Sequence, residues 1–184
     1  MRESILIDGR RVYDPQEFSK KLGYNPTLIQ ATCKANQDQI KFTIQKAKKE
    51  LKTLKGKRIA ILGLSFKPDT DDIREARSIK IINQLLRGRA KIIAYDPMAI
   101  PNIKKVFKEK IKYASSPTKC LKNADCAILV TEWEEFKKLK PEDFTQNMRE
   151  SILIDGRRVY DPEEFSKKLR YIAIGLGEPL KPQL

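Results

Sequence analysis

The sequence predicts an α/β fold: a doubly wound, parallel sheet of six strands preceded by a long linking helix. Three features carry this reading. Short apolar runs alternate six times with helical segments, which calls for crossover connections and parallel strands. The first run, Ile59-Ala60-Ile61-Leu62, is too short for a helix and rich in β-branched residues, the pattern of a strand buried on both faces. Ahead of it, an amphipathic stretch extends from Asn25-Pro26 to Leu51.

In chain order, the leading segment Met1–Leu22 is nearly a copy of Met148–Leu169; across 22 positions only Gln16 against Glu163 differs. Solenoid repeats recur in tandem and drift, so a recent rearrangement or deliberate construction explains this pair better. Each copy encodes a strand, an Asp-Gly-Arg turn and a short helix opened by Asp-Pro, a good N-cap and first-position pair. A sheet has one slot for this strand. The C-terminal copy should hold it, because Tyr171-Ile172-Ala173-Ile174 follows as a last strand. The N-terminal copy is then expected either to be disordered or to pack on an edge of its own or a neighbouring molecule, the latter a route to strand exchange.

The helix to Leu51 carries a stripe of Leu28, Ala31, Ala35, Ile40, Ile44 and Ala47, imperfect in period because Ile29 and Phe42 fall off it. With no partner for that stripe, self-association is expected. The six strands fall at Arg58–Leu64, Lys91–Tyr95, Ile111–Ala114, Cys126–Thr131, Ile152–Asp155 and Tyr171–Leu176. Helices fall near Ser78–Leu86, Pro101–Lys108, Ser116–Leu121, Pro141–Met148 and Pro162–Leu169, with a short turn near Trp133–Leu139. Ser78 is a candidate cap for the helix it begins. The expected strand order is 3-2-1-4-5-6, with ligands at the carboxyl ends of the first and fourth strands. The organisation read from this is an appended duplicate (1–22), a linking helix (23–52) and a binding domain (57–184).

Composition narrows the function. No apolar run reaches membrane-spanning length and Met1-Arg2-Glu3 begins no signal peptide, so a cytosolic protein is expected. The net charge is +14. The lysines are scattered as pairs on helices without interleaved aromatics or a recognition motif, which argues against nucleic acid and for a basic surface suited to a diphosphate. Three cysteines and no histidine give no metal spacing. Cys33, on the long helix, has no basic or Gly-rich surroundings to activate it.

The loop after the first strand holds Phe66, Lys67, Pro68, Asp69, Thr70, Asp71, Asp72 and Arg74 ahead of a helix N-terminus, a setting for an anionic, phosphate-bearing ligand. Lys67 reads equally as a ligand contact or a solvated lysine, and Phe66 as a loop aromatic. Arg157, in Asp155-Gly156-Arg157, offers a fork for phosphate or serves as a plain turn residue. Arg74 reads first as a salt-bridge partner of Asp71, Asp72 or Glu75. Asp96 ends the second strand where a dinucleotide fold places its ribose acid, yet no G-x-G-x-x-G precedes it.

The run Gly63-Leu64-Ser65-Phe66-Lys67-Pro68-Asp69-Thr70-Asp71-Asp72-Ile73-Arg74-Glu75-Ala76 resembles the signature opening the C-terminal, Rossmann-like domain of the nucleotide-sugar dehydrogenases, typified by UDP-glucose 6-dehydrogenase. The likeness continues through Ala94-Tyr95-Asp96-Pro97, Val130-Thr131-Glu132-Trp133 and Asp155-Gly156-Arg157, covering roughly Gly23 to Gly177. It implies that Phe66, Lys67 and Arg157 bind the UDP-sugar, that Arg74 reaches NAD held by another domain, and that the long helix forms a dimer interface. Trp133 matches a family position, with packing its expected role. Arg77 departs from the family, which often has proline there. The family oxidises the sugar C6 alcohol to a carboxylate in two NAD-dependent steps through a cysteine-bound intermediate. The motifs for the dinucleotide domain and the catalytic cysteine are not in this chain, so the resemblance implies a binding half without dehydrogenase activity of its own. The alternative is a structural or engineered fragment whose duplicated segment drives strand exchange.

Overall fold

The computed structural model describes residue 23 and residues 27–177. The N-terminal copy of the duplicated segment, and the edge or exchange packing expected of it, lie outside the described residues. The chain divides into two units, Met1–Asp38 and Gln39–Leu184. In the first, the described residues form the opening turns of helix α1 (Thr27–Leu51), where Leu28, Ala31 and Ala35 are exposed and Thr32 Oγ1 donates to the Leu28 carbonyl.

The second unit is a six-stranded parallel sheet with the predicted order, β3-β2-β1-β4-β5-β6. The strands are β1 (Arg58–Leu62), β2 (Lys91–Tyr95), β3 (Lys112–Tyr113), β4 (Cys126–Leu129), β5 (Ile152–Asp155) and β6 (Arg170–Ala173). The remaining helices are α2 (Arg77–Arg87), α3 (Ile100–Phe107), α4 (Pro117–Leu121), α5 (Glu134–Lys137), α6 (Pro141–Thr145) and α7 (Pro162–Ser166).

Strand alternation sorts the core into two layers. Ile59, Ile61, Ile128 and Ile154 face one cluster, with Ile81, Ile82 and Leu85 of α2. Ala60, Leu62, Leu129 and Leu153 face the other, with Phe136, Phe144 and Phe165 of α5, α6 and α7. The later turns of α1 close the first layer: Ile40, Ile44, Ala47 and Leu51 are buried in it. The expectation of a wholly unpartnered stripe is therefore corrected for Ile40, Ile44 and Ala47, which use this chain's own sheet as their partner. Phe42, off the stripe, is 49% exposed.

Strands β1, β4 and β6 end earlier than the apolar runs suggested, because the chain turns away; the residues after β1 and β4 stay buried, whereas Leu176 after β6 is exposed. After β1, Gly63 takes φ +91°, and a side-chain carbon there would sit 2.5 Å from the Thr131 amide nitrogen. That position needs glycine for both its backbone angle and its closeness to the neighbouring loop. Val130 continues to donate to the Leu62 carbonyl beyond the last β4 residue.

Two local expectations resolve differently. Ser78 does not cap α2: Ala76 holds the cap position without a side-chain bond, and buried Ser78 donates Oγ to the Leu64 carbonyl at 2.6 Å. That bond ties the helix to the loop in front of it. Asp161 does cap α7, accepting from the Glu163 amide, and Ser116 caps α4. Helix breaks at Thr145 and Ser166 shorten α6 and α7 relative to the sequence reading.

Replacing Gly63 by alanine forces a positive φ onto a side-chain-bearing residue and a clash with Thr131. Destabilisation on the order of 2–4 kcal/mol is expected, read as a lowered urea midpoint with an unchanged slope.

Candidate functional site

Parallel strands put every βα loop at one rim, so the loops after β1, β2, β4 and β5 share the carboxyl edge of the sheet. Asp96, at the end of β2, organises that rim. Buried to 1% exposure, its carboxylate accepts from the Leu64 and Ser65 amides (2.7 and 3.1 Å), Ser65 Oγ, the Met98 and Ala99 amides (2.9 and 2.7 Å) and Trp133 Nε1 (3.0 Å). A carboxylate presents about four lone-pair sites, and these are used by the protein's own loops. The position expected of a ribose acid is thus structural, and Trp133 has the packing role anticipated for it, with its indole N–H satisfied. Thr131 Oγ1 donates to the Ser65 carbonyl and joins the β4 loop to the β1 loop.

Asp155, at the end of β5, repeats the device. Fully buried, it accepts from the Arg157, Val159 and Tyr160 amides and from the Tyr171 hydroxyl at 2.8 Å. Burial, reinforced by the Asp155 charge, pushes the Tyr171 hydroxyl's pKa up. Gly156 does not take a left-handed angle. Its lack of a side chain instead admits the Leu129 carbonyl, which a Cβ would meet at 2.8 Å, and Arg158 takes the positive φ of 56°.

On this frame the four sequence-derived candidates separate. Phe66 and Lys67 lie exposed on the β1 loop, Phe66 at 48%. Arg157 projects from the β5 loop, and Nε and Nη2 donate to the two carboxylate oxygens of Glu132. Burial opposes ionisation of Glu132, and the Arg157 hydrogen bonds more than offset it, so its carboxyl titrates below the usual range. Arg74 is 88% exposed and forks onto Asp72, the pairing its neighbours suggested, with Nη2 to Oδ2 at 2.8 Å. These loops are electrostatically linked: Lys137 is held protonated first by Glu134, and also by Glu132 and Asp69.

A cleft of about 340 Å³ opens on the α1–α2 side of this rim. Arg157, Arg158 and Arg77 line it over an apolar floor that includes Ile81, Ile128 and Val130. Lys67 and Phe66 are not among its walls; the structure brings Arg157 into the cleft and leaves those two on the neighbouring loop. Sequence reasoning missed Glu132 as the partner of Arg157, Arg77 as a cleft residue, and Asp96 and Asp155 as loop hubs. The Asp-Pro and Asp-Gly turns that follow these two strand ends were the available signals.

Among the described residues there is no cluster of side chains able to hold a metal ion, and no helix is long and apolar enough to cross a membrane. Cys120 and Cys126 are buried free thiols, and burial pushes the Cys120 thiol up to about 12.

Arg74, as hydrogen-bond donor, holds the Asp72 carboxyl down at about 2. With the folded value depressed, the pair's contribution is present above the ordinary carboxylate range and is lost as pH falls through about 2. Carbon-13 titration should place the Asp72 midpoint near 2 in the native chain. In Arg74→Ala it should return toward the ordinary range, about 3.9.

Known proteins match this arrangement in sequence and in fold. The model of the UDP-glucose/GDP-mannose dehydrogenase family, UDP binding domain, matches residues 60–162, more than half of the chain. The UDP-glucose 6-dehydrogenase AglM of Haloferax volcanii is 43% identical over 142 residues, 77% of this chain and 32% of that protein. TuaD of Bacillus subtilis, also a UDP-glucose 6-dehydrogenase, is 31% identical over 163 residues, 89% of this chain and 35% of its own. The solved UDP-glucose dehydrogenase of Pyrobaculum islandicum superimposes with a TM-score of 0.73 at 27% identity, covering 86% of this chain and 34% of that one. The chain spans about a third of the length of these relatives. With a matching family model, a matching fold and buried hubs at the strand ends that carry the signature, the chain belongs to the UDP-glucose/GDP-mannose dehydrogenase family and contains its UDP binding domain.

Proposed function

We propose that this chain is the UDP-sugar-binding, C-terminal half of a UDP-glucose 6-dehydrogenase-like enzyme, and that it binds a nucleotide sugar without oxidising it. Phe66 and Lys67 on the β1 loop and Arg157 on the β5 loop hold the UDP-sugar. The single observation that carries this is the placement of both cationic loops at the carboxyl rim of one parallel sheet, with Arg157 facing a cleft that has an apolar floor. Lysine supplies a mobile point charge and arginine a planar fork, a pair suited to a diphosphate.

The residues present do not fit an NAD site of their own. No glycine fingerprint precedes α2, and the Asp96 carboxylate is already occupied by loop donors. In this reading NAD belongs to a separate dinucleotide domain, and exposed Arg74 reaches toward it from the β1 loop. Oxidation of a sugar alcohol needs the acceptor and the nucleophile positioned together, so the chain alone is silent as a dehydrogenase. The exposed Leu28, Ala31 and Ala35 on α1 give it a surface for pairing with a second copy, and a cytoplasmic setting suits its free thiols.

A second reading rests on a different observation. Each buried side chain of the C-terminal segment, including Ile152, Leu153, Ile154, Asp155, Phe165 and Leu169, has an identical counterpart between Met1 and Leu22. The single difference falls at Glu163, which is exposed. The β5 slot therefore does not distinguish the two copies by packing, and a second molecule's N-terminal segment would fit it. Leu6→Asp, at the sequence counterpart of buried Leu153, should lower the mass seen by light scattering; an unchanged mass at every concentration removes this reading.

For the principal reading, calorimetry with UDP-glucose should show binding by the native chain. It should weaken roughly tenfold or more in Lys67→Ala and in Arg157→Ala, as loss of a charge-assisted contact implies. Unchanged heats in both variants would remove those assignments. Mixing the chain with NAD and UDP-glucose should give no absorbance of reduced nicotinamide.

A further inference from the structure

We propose that Glu132 is a positioning residue of the nucleotide site: it holds the Arg157 guanidinium in one orientation before a ligand arrives, so that a diphosphate meets an arginine already in place. This rests on the nucleotide-sugar reading above and deepens it.

A carboxylate beside an anion site repels the ligand and, by charge alone, weakens binding. The geometry gives Glu132 an opposing effect. Thr131 before it is buried and donates Oγ1 to the Ser65 carbonyl at 2.7 Å. Trp133 after it is buried and donates Nε1 to Asp96 at 3.0 Å. Both neighbours are tied to groups outside their own loop, so Glu132 leaves from backbone held on each side.

The fork onto Arg157 joins this fixed point to the β5 loop. Nε and Nη2 each donate to one carboxylate oxygen, which sets the plane of the guanidinium as well as its position. The Arg157 amide donates to Asp155 and the Gly156 amide to the Leu129 carbonyl, so the near end of the side chain is held too. Both Nη1 protons lie outside the fork, and Arg157 lines the cleft whereas Glu132 does not. One edge of the guanidinium is thus spent on orientation and another faces a ligand. With Arg157 36% and Glu132 28% exposed, burial alone holds neither side chain. An untethered arginine samples many rotamers, and a ligand that immobilises it loses affinity by doing so. Ordering the side chain beforehand removes that loss. A pair this accessible adds little to fold stability, so its consequence falls on binding.

Calorimetry of the intact chain with UDP-glucose tests this, because charge and orientation predict opposite signs. Glu132→Gln removes a negative charge from beside an anion site. It should nevertheless weaken binding roughly threefold to tenfold, since the amide puts an N–H donor where the second carboxylate oxygen accepted. Glu132→Asp keeps the charge but withdraws the oxygens by a methylene, and should weaken binding to a similar extent. In an Arg157→Ala background neither substitution should weaken binding by more than about twofold, whereas in a Lys67→Ala background the full loss should remain. The Arg157 Nε–H signal in a nitrogen–proton spectrum should stand apart from the other arginines in the native chain and rejoin them in Glu132→Gln. Both variants should unfold within about 4 °C of the native midpoint; if Glu132→Gln unfolds earlier, Glu132→Asp carries the comparison. Unchanged or tighter binding in these variants overturns the positioning role and leaves the nucleotide-sugar reading standing. An equal loss in the Arg157→Ala background overturns it as well. A native chain that does not bind UDP-glucose overturns both readings.

Discussion

The rim of this sheet depends on one buried carboxylate. Asp96 gathers amides from the β1 loop, amides from its own turn and the indole of the β4 loop around two oxygens. An ionised carboxylate is costly to bury, and hydrogen bonds that favour the charged form offset that cost. Once Asp96 is satisfied in this way, the loop running through Phe66 and Lys67 has a fixed start. The β4 loop, through Trp133, has a fixed position opposite it. Asp155 does the same for the β5 loop and, through the Arg157 amide, fixes the backbone from which the Arg157 side chain leaves. The site's flexible cations therefore stand on backbone held by buried anions. The opposite rim uses the same chemistry for stability: Asp125 accepts from the Arg58 amide and from Arg149, and Lys57 pairs with Glu150.

Close approach between loops is the second condition. Gly63 lets the β1 loop pass against Thr131, and Gly156 lets the β5 turn pass against Leu129. Side chains at either place would separate loops that the two aspartates hold together. The β5 end thus combines a buried acid with a glycine, Asp155 with Gly156, while Gly63 and Asp96 supply the two at the ends of the paired strands β1 and β2. Arg157 finds Glu132 on the β4 loop, while Arg77 approaches from α2 with its charge disfavoured by burial and then by Arg157.

The fold was legible because it is written in periodicity. Six apolar runs of strand length, with a helical stretch between each and the next, admit few arrangements, and the order of strands follows from crossover handedness and the position of the switch. Element ends were less legible. The runs through Leu64, Thr131 and Leu176 stay apolar or buried after the ladder stops, since the rim loops are themselves packed, and hydrophobicity does not mark that change. Ser78 looked like a cap because serine before an apolar run usually is one; tertiary contact with the Leu64 carbonyl took its hydroxyl instead. At the site, Arg74 and Asp72 were readable as near neighbours. Glu132 with Arg157 and Arg77 with Arg157 were not, being separated by long stretches of chain and joined only by the order of strands β1, β4 and β5. The hub role of Asp96 was hidden for a related reason: it depends on donors from three loops.

The most direct measurement of the central claim is an amide chemical-shift titration of the chain with UDP. The account predicts that shifts concentrate at Gly63–Thr70, Val130–Trp133 and Gly156–Arg158, in three of the loops at the carboxyl rim. Shifts confined to Lys57, Asp125 and Arg149 at the opposite rim, or no shifts at saturating UDP, would contradict it.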